Sequence, residues 1–214
     1  PTLSADEILE VEGAVGDIRD DQIQLLEALI EETPDSEVDE KADLYFRLAE
    51  AHAQQHRYAR LKTQEFAIKA DGTKKKADKE KFRKESEEKA KEAKAALLKA
   101  VDAYKKLAAN DAFKDYSNMD KALFKFGYML QSGRYMKEAR SVYQRLIKEY
   151  PDSPYIPDAK VAFGDYYFEM AGSEPDKFKE HLENAEEEYK AVLQFPKSQV
   201  YTYAMYKIGW VYLN

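Results

Sequence analysis

Two histidines, His52 and His56, stand four residues apart in the run His-Ala-Gln-Gln-His. On a helix this spacing puts both imidazoles on one face, where they could share a divalent metal. The zinc-protease form of the pattern needs a Glu directly after the first His as general base, and Ala53 stands there instead. No third ligand follows at a useful spacing, so the pair reads as packing or surface histidines. A metal-dependent enzyme using His52 and His56 is the alternative. The other chemistry-bearing residue types are also present without the pattern that would use them. Glu186-Glu187-Glu188 supplies carboxylates, but paired acids need a cleft that separates their pKa values. Cysteine is absent, which excludes thiolate nucleophiles, thiolate zinc sites and disulfides. There is no phosphate-cradling glycine loop and no nucleophile elbow. Lys74-Lys75-Lys76 opens a basic stretch that Asp78, Glu80, Glu85, Glu87, Glu88 and Glu92 interrupt. Many of these acids lie at salt-bridge spacing to a lysine, which describes a solvated charged helix rather than a nucleic-acid surface. The residues thus predict no catalysis, no cofactor, no bound metal and no nucleic acid, and leave a protein or peptide as the partner.

The elements that must position these residues are helical. Of 214 residues, 35% are charged, and only 8 are Gly and 7 Pro, too few turn residues for a sandwich or barrel. The 13% aromatic content argues against disorder, and no apolar run approaches the roughly 20 residues of a membrane span. Helical spacing recurs as a repeat. Leu123, Phe126, Gly127 and Leu130 are followed by Ala139, Tyr143, Leu146 and Pro151. Lys160, Phe163, Gly164 and Tyr167 open a second copy that Ala185, Tyr189 and Pro196 close. Met205, Ile208, Gly209 and Tyr212 open a third, and Tyr45, Leu48, Ala49 and His52 an earlier one, with Ala100, Tyr104 and Leu107 on its second helix. Leu26, Leu29 and Pro34 read as the tail of a still earlier helix. The small residues let two antiparallel helices approach closely, and the large ones fill the space between them.

These marks resemble the tetratricopeptide (TPR) superfamily from about residue 18 to 214. The Tyr150-Pro151-Asp152-Ser153-Pro154 linker and the Tyr206-Lys207-Ile208-Gly209-Trp210-Val211-Tyr212 ending resemble the bacterial envelope branch, which includes the Tol-Pal coordination factor and the outer-membrane barrel-assembly lipoprotein. The resemblance implies an all-α fold, a right-handed superhelical array of antiparallel helix pairs. It also implies a concave groove lined by first helices. Carried onto this sequence, the groove positions are Phe46 and Glu50; Phe124, Tyr128 and Gln131; Val161, Asp165 and Phe168; and Tyr206, Trp210 and Leu213. Glu50, Tyr128, Asp165 and Trp210 occupy places where co-chaperone members carry a Lys/Asn carboxylate clamp. Binding of acidic chaperone C-termini is therefore not expected. An aromatic groove with scattered acids suits an extended or helical apolar segment.

One interval breaks the period of about 34 strongly, and a second carries a smaller excess of 11 around Ala171-Gly172-Ser173-Glu174-Pro175, an exposed-loop composition. Ala49 and Gly127 are 78 residues apart, against 37 and 45 for the next two intervals. The larger excess falls at residues 55–97, whose flanks are rich in Ala, Lys, Glu and Gln, good helix formers. It predicts an inserted helical hairpin turning at Asp71-Gly72-Thr73, with Tyr58, Leu61 and Phe66 facing Phe82, Ala90 and Ala93; a charged disordered loop is the alternative. Residues 1–17 are expected to form an N-terminal segment with partial helical character. Both ends are expected to cut through a repeat. The charge is uneven, with 16 acids against 3 bases in residues 1–50 and 11 bases against 6 acids in residues 73–99; this bears on association rather than fold. The expected function is a non-catalytic scaffold holding a protein partner in the groove, by the hairpin, or both. Self-association through the hairpin is the rival. The resemblance implies a periplasmic or outer-membrane-associated setting, with the cytoplasm as the alternative.

Overall fold

Every proline from Pro34 onward lies between helices or in a first helical turn, the only places where its missing N–H does no harm. The long stretches between them are free to be helical. A computed structural model describes residues 16–214, and the expected segment 1–17 lies outside these residues apart from Gly16 and Asp17. The helices are α1 (Gly16–Glu32), α2 (Val38–Gly72), α3 (Lys76–Ala109), α4 (Met119–Ser132), α5 (Met136–Glu149), α6 (Ile156–Ser173), α7 (Phe178–Val192) and α8 (Tyr201–Leu213). Short 3-10 turns occupy Asp111–Phe113 and Pro175–Lys177, and there is no strand among the described residues. None of the described helices is long and apolar enough to cross a membrane. The chain divides into two compact units, one ending at Ala122 and the other spanning Leu123–Asn214.

In the first unit α1 packs on α2, burying Arg19, Ile23, Leu26 and Ile30, one stripe at helical spacing. The dominant feature is the pairing of α2 with α3, 35 and 34 residues long. Their contacts run in opposite order along the two helices. Tyr104 hydroxyl donates to Glu50, His56 Nδ1 lies 2.8 Å from the Ala93 carbonyl, and Ser86 Oγ donates to the Thr63 carbonyl at 3.0 Å. Phe66 stacks on Phe82 with ring centres 6.4 Å apart. Buried Ala59, Ala70, Ala93, Ala96, Ala100 and Ala103 keep the two backbones close. The turn between them is Thr73–Lys75, where Thr73 and Lys75 adopt extended backbone. Residues 76–109 are continuously helical, so the stretch that the sequence also allowed as a charged loop lies within α3.

In the second unit the small residues receive aromatic rings. A Cβ placed on Gly127 would lie 2.5 Å from Cε1 of Tyr143, and one on Gly164 would lie 2.4 Å from Cε1 of Tyr189. Only glycine tolerates so close an approach. α6 and α7 are antiparallel, as Lys160 pairs with Glu188 at 2.9 Å while Tyr167 stacks on His181. α8 adds Ala204 and Val211 to a core with Val161, Ala185, Tyr189 and Val192. The two aromatic-Pro linkers close alike: Ser153 N–H donates to the Tyr150 carbonyl at 3.0 Å, and Ser198 N–H to the Phe195 carbonyl at 2.9 Å. Their Ser Oγ atoms accept from the N–H of Tyr155 and Val200, each at 3.2 Å, which satisfies donors ahead of the next helix. Between α4 and α5, Arg134 takes the left-handed conformation at φ 64°, and the Tyr135 N–H returns to the Leu130 carbonyl at 2.9 Å, a helix-ending arrangement.

The glycine seats differ in one respect that mutation reads directly. Gly127→Ala is expected to destabilise the chain by about 1–3 kcal/mol, because the buried Tyr143 ring must move. Gly209 has nothing within 4 Å of a Cβ position, so Gly209→Ala is expected to stabilise it by about 0.5–1 kcal/mol. Urea denaturation of both variants checks this, and equal effects would contradict it.

Candidate partner-binding face

A buried phenol needs a partner for its hydroxyl, and in each pair that need is met beside the small residue. Tyr104 donates to Glu50, next to the fully buried Ala49. Tyr143 donates to Gln131 at 3.3 Å, four residues beyond Gly127. Tyr189 donates to Asp165 at 2.7 Å, next to Gly164. Burial first, and then the neighbouring carboxylate, hold the Tyr104 and Tyr189 phenols far above their ordinary pKa. Three of the groove positions, Glu50, Gln131 and Asp165, are thus acceptors for packed tyrosines.

Asp165 carries the largest share of such bonds. Besides Tyr189 it accepts from Tyr203 at 3.1 Å and pairs with Lys207 at 3.1 Å. The Lys207 ammonium also sits 4.2 Å from the centre of the Phe168 ring, a cation–π contact. Burial and Asp165 push the Tyr203 phenol up to about 12. This cluster ties α8 to α6. The repeat marks did not single out Tyr203 or Lys207. The available signal was the acid one residue after Gly164 set against a base two residues before Gly209.

The remaining groove positions divide by exposure. Phe46 is buried, edge-on to Tyr104 at 6.4 Å and tilted against Tyr116 at 6.2 Å. Val161 is buried in the core of the second unit. Phe124 is half-buried and stacks on Tyr155 with centres 5.0 Å apart. By contrast Tyr128 is 55% exposed, Tyr206 60%, Trp210 43% and Leu213 77%. Tyr206 and Trp210 meet edge to face at 6.1 Å. The second unit therefore brings together Asp165 and Phe168 with α8, and leaves Tyr128, Tyr206 and Trp210 open. Arg140 lies 4.5 Å from the Tyr166 ring centre and donates to the Tyr167 hydroxyl at 3.1 Å, a packing contact that no repeat mark indicated.

The histidine pair sits elsewhere, in the first unit, and both rings are buried. His56 Nδ1 faces a carbonyl at 2.8 Å and so carries the proton when the ring is neutral, while Nε2 is buried without a hydrogen-bond partner. His52 Nδ1 lies 3.5 Å from Gln55 Oε1, and the ring lines a recess of 610 Å³ with Ile30, Leu48, Leu98 and Lys99. Among the described residues no group of three or more His, Asp or Glu side chains stands where it could hold a metal ion.

No protein-family model matches the chain, and no curated protein matches it.

Burial holds both histidines below their ordinary pKa of 6.5. In the unfolded chain they take up protons near 6.5, whereas in the folded chain they stay neutral to lower pH. The stability they contribute is therefore complete above 6.5 and is lost as pH falls from there through the folded-state values. Denaturation midpoints measured between pH 7.5 and 5 should fall with pH, and His56→Asn, which keeps a donor for the Ala93 carbonyl, should flatten that fall. An equally steep fall in the variant would contradict the assignment.

Proposed function

We propose that the chain is a non-catalytic scaffold of the tetratricopeptide type, which holds a protein partner on the aromatic faces of α4, α6 and α8. One observation carries the reading: the aromatic residues fall into two sets with different tasks. Tyr104, Tyr143 and Tyr189 are consumed by packing between paired helices, whereas Tyr128, Tyr206 and Trp210 expose large ring areas. Exposed Tyr and Trp offer broad contact with few rotatable bonds and dominate the energetic centres of protein interfaces. The polar groups among them are already engaged within the fold, Gln131 and Asp165 by tyrosines and Lys207 by Asp165. Such a face favours an extended or helical apolar segment over a charged ligand.

In this reading α2 and α3 are the two helices of one repeat, lengthened past His56 and Ala93 into an arm that offers a second contact. From His56 to Gly72 the arm reaches roughly 25 Å at about 1.5 Å per residue. The resemblance of the linkers to envelope proteins extends the proposal to a periplasmic or outer-membrane-associated bacterial complex.

Crosslinking and affinity capture with the intact protein test the face. Tyr128→Ala and Trp210→Ala are each expected to lower partner capture by about tenfold or more, as truncation of an interface centre does, with helical content unchanged. Full capture by both variants would contradict the proposal.

A further inference from the structure

The arm formed by α2 and α3 is unevenly charged. Residues 68–84, around its turn, hold 8 bases against 3 acids. The stem, residues 56–67 and 85–97, holds 6 bases against 5 acids. Residues 16–50, which span α1 and the start of α2, hold 12 acids against 3 bases. Ion pairing widens the contrast. Lys62 and Lys69 both pair with Glu65, Lys89 pairs with Glu92, and Lys81 and Lys84 engage Glu85 and Glu80. Lys74, Lys75, Lys76, Lys79 and Arg83 have no ion pair among the described residues, and all but the half-buried Lys79 are exposed. Lys76, Lys79 and Arg83 stand at i, i+3 and i+7, on one face of α3. Ile68, one turn before the end of α2, is 72% exposed. The tip lies roughly 25 Å along the arm from His56, about three Debye lengths at physiological salt. The acids of α1 therefore do not cancel its positive field.

We propose that the tip of the arm, with Lys74, Lys75, Lys76, Lys79 and Arg83, is a docking surface for an anionic phospholipid bilayer. This names the chemistry of the second contact assigned to the arm above and rests on that part of the reading. Four of the five unpaired bases are lysines, compact charges on flexible stems. Headgroups that diffuse laterally gather beneath such charges without a preset pattern of acceptors. A folded protein partner would have to hold its carboxylates in place already, and exposed pairs of that kind contribute little. Ile68 adds an aliphatic side chain at the same end of the arm, which gains from leaving water for the headgroup boundary. Single-stranded nucleic acid calls for free ring faces, whereas Phe66 and Phe82, the rings nearest the tip, are half-buried and stacked on each other. The acids of α1 and early α2 are repelled by an anionic bilayer, so the arm meets it tip first.

Co-sedimentation of the intact chain with vesicles tests this. Vesicles of equal parts phosphatidylcholine and phosphatidylglycerol are compared with vesicles of phosphatidylcholine alone. The chain is expected to partition onto the anionic vesicles only, and less so as salt rises. Each lysine beside an anionic leaflet strengthens binding by about fivefold. Lys74→Glu, Lys75→Glu and Lys76→Glu together should therefore lower the partition at physiological salt by at least about tenfold, with helical content unchanged. Lys91→Glu, Lys94→Glu and Lys105→Glu together make the same change in net charge farther down α3, and should alter it by less than about twofold. No partition at about 1 mM lipid, or an equal loss in the two triple variants, would overturn the proposal. A dimer that the tip reversal dissociates, without vesicle binding, would overturn it in favour of a second copy. Retention on duplex DNA at a salt concentration that strips the vesicles would overturn it in favour of nucleic acid. Failed vesicle binding beside lost partner capture in Trp210→Ala would leave the groove reading standing and remove this one.

Discussion

A tyrosine ring pressed against a residue with no side chain is the contact on which the second unit depends. It demands three things at once. The first helix must present glycine, because a Cβ would stand about 2.5 Å from the ring at Gly127 and 2.4 Å at Gly164. The second helix must place an aromatic residue opposite. The buried hydroxyl must then reach an acceptor, since an unsatisfied phenol would forfeit much of what burial gained. Gln131 and Asp165 meet the last demand. The α2–α3 pair keeps the same order with Ala49, Tyr104 and Glu50, the alanine being completely buried.

The connection between the partners is left free by this arrangement. Gly127 and Tyr143 are 16 residues apart, Gly164 and Tyr189 are 25, and Ala49 and Tyr104 are 55. Loop-closure entropy grows only slowly with length, so a pair can carry a long excursion if the excursion packs on itself. The outer parts of α2 and α3 do so, through alanines, the Phe66–Phe82 stack and the His56 bond to the Ala93 carbonyl. The charged residues there remain on the surface in pairs such as Lys62–Glu65 and Lys89–Glu92, worth little to stability individually.

Much of the helical architecture was legible in the sequence, because glycine at a fixed mark and tyrosine four residues after alanine are strong, local signals. The turn read at Asp71-Gly72-Thr73 lies slightly further on, at Thr73–Lys75, because α2 runs on through Gly72. The fate of individual groove positions was not. Phe46 is buried because Tyr116 packs on it, and Tyr116 lies in the stretch between α3 and α4 that the repeat marks do not cover. Asp165 was read as a groove position but is drawn in by Tyr189, Tyr203 and Lys207, three residues distant in sequence. The i, i+4 spacing of His52 and His56 was visible, yet their burial depends on elements that pack across from them. Left-handed Arg134 gave no signal either, since Gly133 beside it is the residue that sequence reasoning would place there.

A double-mutant cycle on Gly164 and Tyr189 tests the central contact most directly. Gly164→Ala alone should destabilise by about 1–3 kcal/mol. In the Tyr189→Leu background, where no ring presses on the seat, the same change should cost almost nothing, a coupling of about 1 kcal/mol or more. Effects that add to within about 0.5 kcal/mol would show that ring and glycine are independent, and would contradict the account.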